Sequence, residues 1–211
     1  MTKSASNVLI DDLADYRSGA LDLLWIAGFS LLTALLAQIE IRMPFMPVPW
    51  TGQTFGVLLS GAVLGCRRGF SSQLLYLAEG AAGLPVFAGG AFSLAHLLGP
   101  TGGYLWSYPL AAALVGWLVE RGAGRSVLKL AATLFLADTL ILVSGTAWLS
   151  VLFAASFRQS AMLGLYPFVA GDILKIVLVG LTLPRFLKRY EASTLKSSLQ
   201  RGAEEFPRQR G

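Results

Sequence analysis

The sequence predicts an all-α membrane protein of six transmembrane helices, with both termini cytoplasmic. Three observations carry that prediction. Only 14% of the 211 residues are charged and 55% are hydrophobic, with mean hydropathy +0.62, whereas a soluble domain carries about 25% charged residues. The apolar residues fall into six stretches separated by short linkers. Finally, the basic residues sort to one side of the membrane only if six crossings are counted.

The chain divides into a polar leader (1–20), a membrane domain (21–183) and a basic tail (184–211). Met1–Gly19 holds Asp11, Asp12 and Asp15 and lacks an apolar run, so no cleavable signal peptide is expected. The six stretches run roughly Leu21–Ile39, Gly52–Leu64, Phe70–Leu84, Tyr104–Val119, Val127–Leu149 and Leu163–Leu183. The second and third are short, and only the basic turn Cys66-Arg67-Arg68-Gly69 separates them. They could form one hairpin that does not cross, but the charges argue for two spans. With the amino terminus inside, all of the 17 Lys and Arg except Arg42, Arg158 and Lys175 lie in the leader, the second and fourth linkers and the tail. Merging two spans destroys that sorting. The tail is read as an extension of helix six that frays towards its end.

Other classes are excluded by what the chain lacks. One cysteine (Cys66) and one histidine (His96) give no disulfide framework and no ordinary metal site. A net charge of +5 reports membrane orientation in so apolar a chain, and no nucleic-acid partner is expected. There is no G-x-x-x-x-G-K-[ST] phosphate cradle, and no cofactor is expected.

Chemistry concentrates in three places. Gly171-Asp172-Ile173-Leu174-Lys175 lies in the last apolar stretch. A charge at the centre of a spanning helix costs roughly 2.5–3.5 kcal/mol. Asp172 and Lys175, at i and i+3, share one helix face and partly neutralise each other. Two readings stand: an internal ion pair that keeps helices in register, or a recognition pair for a small polar solute. The first linker, Ile41-Arg42-Met43-Pro44-Phe45-Met46-Pro47-Val48-Pro49-Trp50, is stiffened by three prolines, as a cap over a cavity or as a plain connector. The third, Gly83–Gly103, is apolar but too rich in Gly and Pro to be a spanning helix. Such backbone survives at membrane depth only when buried in protein or lining a cavity. Its glycines permit close approach to a ligand.

Glu79 and Asp138 share this neighbourhood, each read first as a packed interhelical hydrogen bond. Gln53, Gln73, Tyr76 and Trp148 could offer amides or an aromatic wall, and His96 stands alone in the outer loop, solvated or hydrogen-bonded.

Three segments resemble the biotin-specific S component of energy-coupling-factor vitamin transporters, the BioY family. They are Pro47–Leu59; Gly83-Leu84-Pro85-Val86-Phe87-Ala88-Gly89-Gly90 through Leu98-Gly99-Pro100-Thr101-Gly102-Gly103-Tyr104; and Gly171–Lys175. The similarity spans about Ile41 to Leu183. It implies a six-helix substrate-capture subunit of the cell membrane, embedded in lipid, that binds biotin from outside in a pocket on the outer side capped by the first and third linkers. Its expected partners are a transmembrane T component and two ATPase subunits, although some members are taken to act alone or as homo-oligomers. Substrate contacts are expected from Asp172, Lys175, Thr101, Gly102, Tyr104, Gly90 and Phe87, with Gln53, Gln73, Tyr76, Glu79 and Trp148 around them. Helix one is expected to meet the T component through small residues, for which Ser30 and Ala34 fit. Two alternatives remain. One is an S component for another vitamin. The other is an intramembrane enzyme using Asp172, Glu79 or Asp138, which the scattered carboxylates disfavour.

Overall fold

The computed structural model describes residues 19–44, 46–169, 171–173 and 177. Lys175 lies outside them, as do the leader and the tail. The described chain is mostly helical. Helix α1 (Gly19–Ala37) is followed by a two-stranded antiparallel hairpin, β1 (Glu40–Ile41) and β2 (Trp50–Thr51), then by α2 (Gln53–Ala81). The short α3 (Leu94–Leu97) sits in the third linker, and α4 (Gly102–Glu120), α5 (Val127–Leu152) and α6 (Phe157–Gly164) complete the fold. Residues 166–169 and 171–173 are helical again.

Helix α2 is not one rod. At Gly65 the backbone takes φ 81° and ψ −175°, a region essentially reserved for glycine. The chain doubles back there. Gln73 Nε2 reaches Ser60 Oγ at 3.0 Å, and Gln53 Nε2 reaches the Tyr76 hydroxyl at 2.7 Å, contacts impossible along a straight helix of ~1.5 Å rise per residue. The two limbs, 53–64 and 66–81, are thus the second and third expected stretches. The turn is tighter than the four-residue basic linker the sequence suggested. Gly116 of α4 packs directly on the Gly65–Cys66 backbone, where no larger residue fits.

Helix α2 packs most extensively on α4 and then on α1, while α5 packs against α4 and α6. Charged groups gather at one end of the bundle: Arg68 Nη2 lies 3.0 Å from Asp22 Oδ1, and Glu120 Oε1 accepts from the Cys66 amide at 2.7 Å. The first and third linkers close the opposite end. Helices α1 and α5 are each long and apolar enough to cross a membrane, by length and composition. Leu24, Leu31 and Leu35 of α1, Leu110 of α4 and Leu128, Phe135 and Val151 of α5 are exposed, as side chains facing lipid would be.

Three expectations need correction. The all-α reading missed the β1–β2 hairpin in the proline-rich linker. The sixth stretch does not open as one helix at Leu163: a Ser156–Gln159 capping box starts α6 upstream, and Leu165 (φ −126°, ψ −64°) interrupts it. Ser30 and Ala34 do not offer a docking face. Both are buried within the chain, and Ser30 Oγ donates to Glu79 Oε2 at 2.6 Å.

Candidate functional site

The two linkers and the helix ends beneath them enclose a cavity of about 40 Å³. Val48, Pro49 and Thr51 of the first linker cover it, and Ala88, His96 and Thr101 border it from the third. Gln53 and Thr54 come from the start of α2, and Tyr104, Leu105 and Tyr108 from α4. Ile141 and Leu142 of α5 face Phe168 and Asp172 of the last segment. Thus four expected residues border one space: Gln53, Thr101, Tyr104 and Asp172. Asp172 is only 3% exposed.

Local packing explains how these side chains are held. The Tyr104 hydroxyl donates to the Gly164 carbonyl at 2.6 Å. Its ring fills the space that a side chain at Gly145 would need. Glycine on α5 therefore admits the tyrosine of α4, and Phe168 leans on the same ring at 6.3 Å between centroids. Trp50 of β2 contacts Phe168 at 6.2 Å and lies against Gly171, which fastens the first linker to the segment carrying Asp172. A relay of hydrogen bonds spans the other wall. Tyr108 donates to Gln53 Oε1 at 3.1 Å, Gln53 Nε2 donates to the Tyr76 hydroxyl, and Tyr76 donates to the Val86 carbonyl at 3.1 Å.

The remaining expected residues stand back from the space. Tyr76 lies behind Gln53 in that relay. Gln73 is fully buried and donates to Thr33 and Ser60. Glu79 accepts from Ser30, as an interhelical bond, and Asp138 is buried on α5. Phe87 supports the third linker, edge-on to Tyr76. Gly90 (φ 72°) shapes the bend after it, and Gly102 packs on the Leu97 carbonyl. Trp148 donates from Nε1 to the Gly99 carbonyl at 2.9 Å and lies on a shallow groove between α4 and α5.

His96 is half-buried and hydrogen-bonded, one of the two readings expected of it. Its ring stacks on Phe87 (5.2 Å, 18°), its Nε2 lies 3.1 Å from Thr101 Oγ1, and burial holds the imidazole pKa below its usual value. Together with Tyr108 and Phe168 it was missed as a candidate. Spacing could have found the latter two, because Tyr104/Tyr108 and Phe168/Asp172 are i, i+4 pairs on single helix faces.

A buried carboxylate beside amide, hydroxyl and imidazole groups, between apolar walls, suits a small ligand with N–H donors and an apolar body. Comparison with known proteins gives that arrangement a context. The BioY family profile matches residues 4–192. The chain is 41% identical over 150 residues to a probable biotin transporter BioY of Pyrococcus horikoshii, covering 71% of this chain and 86% of that protein. It is 36% identical over 166 residues to the biotin transporter BioY of Rhizobium etli, covering 72% and 88%. Among solved structures it is similar to the S-component for biotin from an ECF-type ABC transporter, at TM-score 0.75 and 26% identity, covering 82% of this chain and 95% of that one.

Proposed function

The chain belongs to the BioY family, and on that premise we propose that it is a biotin-uptake protein, the substrate-capture subunit of an ECF-type transporter. It is a transporter component and not an enzyme. The observation that carries the reading is Asp172, a carboxylate buried at the edge of a cavity that Gln53, Thr101, Tyr104 and Tyr108 share.

Biotin presents a ureido ring with two N–H donors and one carbonyl acceptor, a thiophane ring and an ionised valerate tail. Asp172 accepts from the ureido N–H groups, in bonds that are short and strong away from water. Lys175, three positions later in the sequence and outside the described residues, is the proposed donor to the ureido carbonyl or to the tail carboxylate. Leu105, Ile141, Leu142 and Phe168 give the thiophane and methylenes an apolar wall. A cavity of about 40 Å³ holds a few waters at most. Biotin therefore enters as the first or third linker withdraws.

The membrane domain is read as six spans, with the α2 limbs as two of them, both termini cytoplasmic and the linkers outside. That orientation places the charged end of the bundle inside, in accord with the positive-inside rule. A T component and two ATPase subunits are the proposed partners. Titration of the purified full chain with biotin, in competition with other vitamins, tests the function. One-to-one binding of biotin in preference to the rest is expected. Absence of binding, or preference for another vitamin, contradicts it.

A further inference from the structure

We propose that His96 is a second recognition group of the cavity and contacts the ionised carboxylate of the bound ligand. The proposal rests on the reading of the cavity as a biotin site. Among the described lining residues Asp172 is the one carboxylate and His96 the one imidazole; the others are neutral. A ligand carboxylate set against Asp172 would meet a like charge with little water to screen it. With Asp172 taking the N–H donors and Lys175 the ureido carbonyl, the anionic end is directed to the third-linker wall.

The third-linker wall is prepared for that end. The imidazole is held by stacking on Phe87 and by the hydroxyl of Thr101, which caps no amide of α4. The His96 amide also donates to Ser93 Oγ at 3.4 Å, fixing the residue in the loop. The positive end of the α4 dipole lies at Thr101 and adds to the attraction. Among the described residues the groups nearest this position are Asp172 across the cavity, Tyr104 and Tyr108 of α4, and the Glu40–Arg42 pair beside Gly89. Helix α5 contributes Ile141 and Leu142 to the lining, and its buried Asp138 acts on the neighbouring Tyr108.

Burial holds the imidazole pKa below its usual value and so favours the neutral form. A carboxylate partner favours the charged form, so the bound-state pKa is higher and binding takes up a proton. Affinity must then rise as pH falls from 8 to 5.5.

Biotin and its methyl ester, titrated into the purified full chain across that range, test the proposal. Biotin affinity is expected to gain about tenfold, as one unit of pKa shift implies, while the ester's stays level. His96→Gln should level the biotin curve, so that affinity at pH 5.5 no longer exceeds that at pH 8. Should that variant fail to fold, calorimetry of the unmodified chain in buffers of different ionisation enthalpy decides: proton uptake with biotin and none with the ester is expected. A biotin slope that survives His96→Gln, an equal slope for the ester, or equal proton uptake by both ligands overturns the proposal. Failure of the unmodified chain to bind biotin at any pH overturns the functional reading itself.

Discussion

Asp172 and Gln73 are both polar, both buried and both on apolar helices, yet the structure gives them different surroundings. Asp172 faces a cavity, whereas Gln73 is held between Thr33 and Ser60. Asp172→Asn removes the charge from the proposed hydrogen bonds to the ligand, each worth roughly 1.5–3 kcal/mol. Equilibrium dialysis with labelled biotin should register a loss of affinity of about 100-fold. Gln73→Leu instead leaves Thr33 and Ser60 without their partner. It should lower stability by about 1–3 kcal/mol, seen as a lower Tm, while biotin affinity stays within about twofold of the parent. Sequence reasoning could name both residues because polar groups are conspicuous in so apolar a chain. It could not separate them, because that depends on which side chains from other helices meet each face. Asp172 stood out as a charge in an apolar stretch, and Thr101 and Tyr104 through the Gly-Pro-Thr-Gly-Gly-Tyr resemblance; His96 did not, since a lone imidazole in a loop has no spacing to give it away.

At the scale of elements, the α2 hairpin shows what a residue pattern can and cannot convey. Two short apolar stretches around Arg67 and Arg68 announce a reversal of direction. The residue that makes it is Gly65, whose φ of 81° no apolar periodicity reveals. Gly65→Ala should destabilise the protein by at least about 1–3 kcal/mol, more because Gly116 packs on the same backbone. The thermal midpoint in detergent, read by tryptophan fluorescence, measures this, and an unchanged midpoint would refute the assigned turn. The β1–β2 hairpin was hidden for a different reason. Two-residue strands carry no alternation, and their pairing of Glu40 with Thr51 and Ile41 with Trp50 closes a ten-residue span of prolines and apolar residues. Likewise, a capping box upstream decided where α6 begins, and the hydropathy of the following stretch did not.

For the whole molecule, the sorting of basic residues and the structure agree on which parts belong together. Asp22, Arg68 and Glu120 meet at one end, and the linkers bordering the cavity meet at the other. The single cysteine lies at the charged end and reports orientation without engineering. A membrane-impermeant maleimide should leave Cys66 unlabelled in intact cells and label it in inside-out vesicles; the reverse pattern would invert the proposed topology. Capture of the chain from native membranes should bring down an ATPase pair if the protein works within a full transporter. The most direct test of the central claim is an experimental structure of the full chain with biotin bound. The account predicts the ureido ring against Asp172, beneath Val48 and Pro49 and beside the third linker. Biotin in the groove between α4 and α5, or anywhere out of reach of Asp172, would contradict it.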